Sequence, residues 1–375
     1  MQTRPTTGAR QWAVRAVLSA GLLAPAAAYA HEKWFVDPAA YPLHLELLWS
    51  WPVALALGGA GLALGGLLLL QRIVRDPLWP NPTWLRPLDA SARAVIGIQT
   101  AVSLIYMAVQ GWLFSPVQPL PHNLLGLALG GLVAGAAFSF ITGWLTRLGG
   151  AVLLGLVALS FLLYPVANAL EQVLFAGIGV YFLILGRGLF APTFPSTRRW
   201  ARTWQPYERW ALPALRISTG AAILVLAFTE KLLNPALARA FLTAYPTFNF
   251  MHLAGFTWFS DDLFITAAAV VEATVGILLI AGVLPRVVIL LMWVPFNAAI
   301  PFLPPVELLG HLPILAVMYV VFLQGVGTEG ALGEPVAGRT APPVAARVGA
   351  PRPPGPTGPS DRYKSGRGGV RGDGQ

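Results

Sequence analysis

Apolar stretches of about 20 residues recur along this chain, and that is the length an α-helix needs to cross the hydrocarbon core of a bilayer. Of its 375 residues, 56% are hydrophobic and only 11% are charged, whereas about a quarter of the residues of a soluble domain are charged. Lipid offers no hydrogen bonds to an exposed backbone, so such stretches must be helical. The sequence therefore predicts an all-α, polytopic membrane bundle with the lipid bilayer as its principal partner.

Composition also excludes several kinds of chemistry. The chain has no cysteine, which excludes disulfides, iron–sulfur clusters, thiolate metal sites and a cysteine nucleophile. The formal net charge is +9, but the arginines lie in loops between apolar stretches and in the carboxyl-terminal tail. This distribution is the positive-inside pattern of membrane insertion, and we expect no nucleic-acid partner.

The amino-terminal 30 residues resemble a secretory signal peptide. Arg4, Arg10 and Arg15 precede a short apolar core, and Ala28-Tyr29-Ala30 fits the small-x-small pattern of a cleavage site. Cleavage makes His31 the first residue of the mature chain, while an uncleaved signal anchor is the alternative. Both place His31 outside the cytoplasm.

Nine membrane spans are predicted after the signal peptide. Their approximate limits are 50–70, 94–114, 123–145, 149–164, 169–186, 213–232, 262–283, 286–303 and 306–324. The arginine-rich loops 71–93 and 187–209 fall on one side, which is therefore cytoplasmic. We expect a bacterial inner-membrane protein with a periplasmic amino terminus and a cytoplasmic carboxyl terminus.

The chain contains an internal repeat of four helices. WLFSP at 112–116 matches KLLNP at 231–235, and Gly143-Trp-Leu-Thr-Arg147 matches Gly282-Val-Leu-Pro-Arg286. Both copies begin inside, so a pseudo-twofold axis along the membrane normal should relate them. The predicted organisation is a signal peptide (1–30), an external segment with the first span and a loop (31–92), a degenerate unit (93–190), a basic linker (191–212), a second unit (213–325) and a disordered cytoplasmic tail (326–375).

Ionisable residues within the second unit are candidate catalytic groups. Glu272 lies near the middle of its span, where a charged side chain costs roughly 2.5–3.5 kcal/mol on insertion scales. Glu307 and His311 lie one helical turn apart on a shared face, and Glu230-Lys231 ends an earlier span. Glu272 is interpreted either as a proton-relay or ligand-binding carboxylate or as a protonated or ion-paired group that locks the bundle. Lys231 is interpreted either as snorkelling to the outer interface or, like Glu230, as turning inward to meet Glu272 or Glu307.

The second unit resembles the DoxX/DoxD-like family of four-helix membrane proteins. The resemblance depends on the segments Arg216–Gly220 and Glu230–Pro235, on Glu272, and on the final span with Glu307 and His311. It implies a four-helix bundle associated with sulfur metabolism, oxidative stress and quinone-linked electron transfer. The cofactor is left open, with quinone as a candidate and His311 and Asn297 as candidate binding residues; with Glu307, His311 could also bind a metal or relay a proton. Asn297 is alternatively a helix–helix hydrogen-bonding residue.

All histidines fall on the external side of the predicted topology, namely His31, His44, His122, His252 and His311. A cleaved amino-terminal His31 would offer its α-amine and imidazole to Cu(II), which favours nitrogen ligands. His44 or His252 would then complete a copper site.

Three functional hypotheses follow, and the sequence leaves open whether the protein is an enzyme. The first is an outward-facing polar pocket that supports redox or quinone- and proton-linked chemistry. The second is a transporter or a periplasmic copper-handling protein. The third is a non-catalytic membrane subunit that anchors a redox protein partner.

Overall fold

A computed structural model describes residues 32–74, 83–186, 200, 202–299 and 305–325, which all belong to one unit, Met1–Val336. Within these ranges the regular structure is helical, without a β-strand. The predicted signal peptide, His31, residues 191–199 and 201 of the basic linker, and the tail lie outside the described residues.

Helices form at all nine predicted spans. In chain order the helices are Trp51–Val74 (α1), Ala92–Gln110 (α2), Leu124–Thr142 (α3), Thr146–Leu163 (α4), Val166–Glu171 (α5), Val173–Leu185 (α6), Glu208–Leu226 (α7), Pro235–Ala244 (α8), Phe250–Leu253 (α9), Asp261–Ala281 (α10), Pro285–Ala299 (α11) and Pro305–Gln324 (α12). Short 3-10 helices cover Glu32–Trp34, Pro38–Ala40, Leu45–Trp49, Thr83–Ser91, Gln205–Tyr207 and Pro246–Phe248.

Six helical stretches of the described chain are long and apolar enough to cross a membrane. They are Trp51–Ile73, Pro87–Gln110, Leu124–Thr142, Thr146–Leu163, Arg202–Leu232 and Asp261–Ala281. Three further apolar helices are shorter, namely Val173–Leu185, Pro285–Val294 and Leu308–Gln324. The chain is thus an all-α protein with the character of a multi-pass membrane protein, and membrane crossing by the three shorter helices stays a prediction.

Two sets of four helices pack against each other. The first set is α2, α3, α4 and α6, and the second is α7, α10, α11 and α12. Helix α6 packs against α7, and α12 packs back against α2, so the last helix of each set meets the first helix of the other. This reciprocal packing is what a pseudo-twofold relation produces. Helix α1 stands outside both sets and packs against α10.

The same unusual backbone occurs in the second loop of each set. Gly143 and Gly282 end α3 and α10 with φ of +71° and +73°. Two residues later, Leu145 and Leu284 also adopt positive φ, at +53° and +46°, a conformation that costs an L-residue with a branched side chain about 1 kcal/mol or more. The shared strain strengthens the case for an internal repeat.

The arginine that follows each strained leucine caps the last helix of its own set. The Arg147 guanidinium donates to the carbonyl oxygen of Ile184 at 3.0 Å. The Arg286 guanidinium donates to the carbonyl oxygens of Phe322 and Leu323, both at 2.8 Å. These carbonyls lack intrahelical partners because the helices end there. Arg286 is therefore a buried helix cap.

The chain widens into a π-helical turn, Ala227–Leu232, where α7 ends. Such turns concentrate at functional positions because they redirect side chains relative to a regular helix. The turn stops before Asn234, whose side chain accepts from the Leu237 amide and starts α8. Beyond it, α8 and α9 form the described helices of a cover over the second set. We call the end of the bundle that carries this cover and residues 32–49 the outer end, following the predicted topology.

Candidate functional site

A single 3-10 turn, Glu32–Trp34, is inserted into the outer end of the bundle. Glu32 and Lys33 are only 4% and 7% exposed. The Trp34 ring meets that of Trp112 edge to face, with centroids 5.8 Å apart, and lies over Gly310 of α12. Next along the chain, Phe35 contacts Phe241 of α8. The segment thus touches both sets of helices.

Lys231 joins the inserted turn to the bundle. Its Nζ atom lies 3.1 Å from Oε1 of Glu32 and 3.1 Å from Oε1 of Glu272. The backbone N–H of Glu32 donates to Oε2 of Glu230 at 3.2 Å. All four residues are at most 5% exposed, so these charges interact with little screening by water.

A second ionic contact lies beside the first. The Lys33 ammonium forms an ion pair with Oε1 of Glu171, at the end of α5. The Thr229 hydroxyl donates to the same oxygen at 2.6 Å. Thr229 belongs to the π turn after α7 of the second set, and Glu171 ends α5, just before α6 of the first set, so this contact joins the two.

These contacts form one cluster, which we call the ionic network: Glu32, Lys33, Glu171, Glu230, Lys231 and Glu272. Glu230 is close enough to Glu32 and Glu171 to repel their charges. Burial raises the pKa of Glu32 well above its ordinary value, and the attraction of Lys231 opposes this only in part. Neighbouring buried carboxyl groups cannot all ionise, so the network is suited to holding protons.

The π turn explains how adjacent residues come to serve one site. On a regular helix, neighbours such as Glu230 and Lys231 point in different directions and do not face each other. In the widened turn, Thr229, Glu230 and Lys231 are all buried. Glu272 meets Lys231 from α10, where small neighbours such as Ala269 and Ala273 let other helices approach closely.

The predicted catalytic residues divide into two groups. Glu230, Lys231 and Glu272 lie together in the ionic network. His311 is buried on α12, 6% exposed, and follows the glycine that lies under Trp34. Glu307 lies within α12, and its side chain is outside the described part of the structure.

Asn297, the other candidate cofactor residue, is exposed on α11. Its side-chain amide donates to the carbonyl oxygen of Trp293 on the same helix at 2.7 Å. The described contact is therefore local to one helix and does not join two helices.

Among the described residues, the histidines proposed for copper do not form a shared site. His44 is partly exposed, with Nδ1 2.8 Å from a carboxylate oxygen of Glu46, and the exposed His252 lies 3.5 Å from the Asn249 amide. In the described ranges, no group of three or more histidine, aspartate or glutamate side chains has the arrangement of a metal site. His31 lies outside those ranges, and its copper binding stays a prediction.

Sequence reasoning missed Glu32, Lys33, Glu171 and Thr229 as site residues. Glu32 and Lys33 looked like ordinary charges of a solvated external segment. The available signal was their position directly before an aromatic pair, Trp34-Phe35, because an aromatic anchor can draw neighbouring charges into a bundle.

Searches against family models, curated proteins and solved structures find no match for this chain.

Proposed function

We propose that this chain is a multi-pass membrane protein whose ionic network takes up and releases protons in support of redox chemistry at the membrane. The observation that carries this proposal is the position of the Lys231 ammonium, 3.1 Å from both the Glu32 and the Glu272 carboxylates within a buried cluster. A lysine shared by two carboxyl groups stabilises them inside an apolar bundle. Ionisable groups within membrane bundles are candidates for functional sites, and proton relays are among them.

The arrangement also offers a route for protons within the network. Glu171, Glu230 and Glu32 are close enough to influence one another electrostatically, and Lys231 links Glu32 to Glu272. A proton on one carboxyl group can therefore move to the next as the lysines shift their hydrogen bonds. Titratable groups with mutually perturbed ionisation are typical of proton-transfer sites.

The redox assignment is supported by the resemblance of the second unit to DoxX/DoxD-like proteins. Reduction of a quinone to a quinol takes up two electrons and two protons, and a buried carboxyl network is a suitable local source of the protons. We assign the buried His311 the role of hydrogen-bond donor to a quinone carbonyl oxygen. The bacterial inner membrane with an outward-facing site is the setting we propose.

Infrared spectroscopy of the protein in membranes tests the proton assignment. We expect a band from protonated carboxyl groups that changes with pH and loses amplitude in Glu272→Gln. The matched control is Asp262→Asn on the same helix, since Asp262 is 66% exposed and paired with Arg239. A wild-type spectrum without any pH-dependent carboxyl band would contradict the proposal.

A non-catalytic anchoring role is the second candidate, and the insertion of Glu32–Trp34 favours it. Both lysines of the network contact a carboxylate across the boundary between the inserted turn and the bundle. The network would then serve to fix the outer surface on which a redox partner docks. Glu272→Gln would in that case weaken folding and partner binding together, without a pH-dependent carboxyl signal in the wild type.

A further inference from the structure

A cavity of about 610 Å³ lies at the outer end of the bundle, against the inserted segment. Its wall combines residues 33–43 with the outer loops of the first set and the start of α8. The residues that matter below are Lys33, Trp34, Asp37, Ala167, Asn168 and Asn234. The volume falls within the range of small-molecule sites, and the polar members of the wall allow it to hold water.

Lys33 is the member of the ionic network that lines this cavity. Its ammonium group is paired with Glu171, and Thr229 donates to the same Glu171 oxygen. The cavity therefore meets the network at Lys33, the partner of Glu171, while Glu32 and Glu272 are not part of its wall.

A second cavity provides the comparison. It has about 550 Å³ and lies between α2 and α3, with a largely apolar wall that includes Ile105, Gly130 and Ala134. No network residue belongs to its wall. Its outer rim carries the exposed His122, which makes His122 a useful reference position.

We propose that the 610 Å³ cavity is the proton-access site of the network, with the Lys33–Glu171 pair as the point of exchange. A hydronium ion in the cavity transfers its proton to the Glu171 carboxylate, leaving water in the cavity and a neutral carboxyl group. Lys33 then releases that oxygen, and the proton passes to Glu230 and Glu32. Release runs in the opposite direction. This inference rests on the proposed function and adds its route and its side.

The absence of cysteine makes the test direct, because a single introduced cysteine is the only thiol in the chain. Ala167→Cys places a thiol in the cavity wall, and His122→Cys places one at the rim of the other cavity. Oriented vesicles are treated with a bulky, membrane-impermeant thiol reagent added from the outer face, and labelling is read by intact mass. The rate of the carboxyl-band change after a pH jump is then measured.

We expect both cysteines to be labelled and both unlabelled variants to match the wild-type rate. Labelled Ala167→Cys should slow the change at least about tenfold, because the adduct excludes water from the cavity, without reducing its final amplitude. Labelled His122→Cys should leave the rate unchanged.

Three results separate failure of this route from failure of the function. If Ala167→Cys is not labelled from the outer face, the cavity is not the outer access site. If labelling leaves the rate unchanged while Glu272→Gln still removes the carboxyl band, protons enter elsewhere and the proposed function survives. If the wild type shows no carboxyl band at all, both proposals fail.

Discussion

The Trp34 indole lies so close over Gly310 that a β-carbon built on this glycine would come within 2.5 Å of ring atom Cη2. Gly310 belongs to α12 of the second set. Trp112, whose ring meets that of Trp34, follows α2 of the first set. The inserted turn is thus held at the junction of the two sets by a tryptophan that needs a glycine opposite it.

Gly310→Ala should therefore loosen the inserted turn. Overpacking of this kind costs typically about 1–3 kcal/mol, and here we expect the cost to appear as displacement of Glu32–Trp34. Limited proteolysis in detergent should cut near residue 36 faster in the variant than in the wild type. Gly131→Ala is the control, because nothing lies within 4 Å of a β-carbon there and alanine favours a helix. Equal cutting of both variants would contradict a close Trp34–Gly310 contact.

Lys231→Met should be strongly destabilising. Removing one partner of a buried ion pair leaves an uncompensated charge and costs about 3–5 kcal/mol, and here the Glu272 carboxylate would lose the partner that balances its charge. The measurement is thermal unfolding of the purified protein in detergent. The double variant Lys231→Met with Glu272→Leu should recover part of the loss, since it removes the stranded carboxylate.

The matched control for Lys231 is Arg239→Met. Arg239 pairs with Asp262 at 2.5 Å, but these side chains are 52% and 66% exposed, and exposed pairs contribute at most about 1 kcal/mol. If the two methionine variants unfold at the same temperature, the buried Lys231 pair stabilises the fold no more than the exposed Arg239 pair does, and the prediction is wrong.

Glu32→Gln should flatten the dependence of stability on pH. Because the pKa of Glu32 is raised by burial, the folded protein keeps a proton that the unfolded chain loses above about pH 4.3. The contribution of Glu32 is fully present below that pH and is lost as the pH rises through the folded pKa. We expect the unfolding temperature of the wild type to fall over this window more steeply than that of the variant.

Glu46→Gln is the control with the opposite sign. The pKa of Glu46 is lowered by its own backbone N–H and by His44, so its contribution is present above its unfolded pKa and is lost as the pH falls. Identical slopes for Glu32→Gln and the wild type would show that Glu32 does not carry the extra proton.

Arg286→Met should fray the carboxyl-terminal end of α12. The substitution leaves the carbonyl oxygens of Phe322 and Leu323 without their guanidinium donors, and such orphaned groups cost about 1–3 kcal/mol each when buried. Hydrogen exchange should accelerate in the last turn of α12 and stay unchanged at the outer end. Arg147→Met should do the same at the end of α6. Uniform exchange changes across the bundle would contradict a local capping role.

The helices, the paired loops that follow α3 and α10, and part of the site could be predicted from the sequence. Long apolar runs identify helices because lipid leaves the backbone no alternative, and the Gly-x-Leu-x-Arg spacing identified paired loops that share their strained backbone. Glu272 and Lys231 stood out because charges are rare in such runs.

The remaining part of the site could not be predicted, for identifiable physical reasons. Lys33 and Glu32 lie in a short segment without periodicity, so nothing local signals burial, and their insertion depends on a space that two distant sets of helices create. The π turn is equally invisible, because it changes which neighbours share a face without changing hydropathy. The hydrogen bond that Asn297 donates to a carbonyl oxygen on its own helix is likewise not signalled by the sequence.

The insertion of Glu32 has a consequence for how the protein is made. Glu32 leaves the ribosome 198 positions ahead of Glu230, the residue that accepts its backbone hydrogen bond, and Glu272 follows later still. During synthesis the earliest segment must therefore wait at the membrane surface while the later helices are inserted with their ionisable groups uncompensated. Docking of that segment would then be a late step of folding, possible only after the helices that carry Glu230 and Glu272 have been inserted.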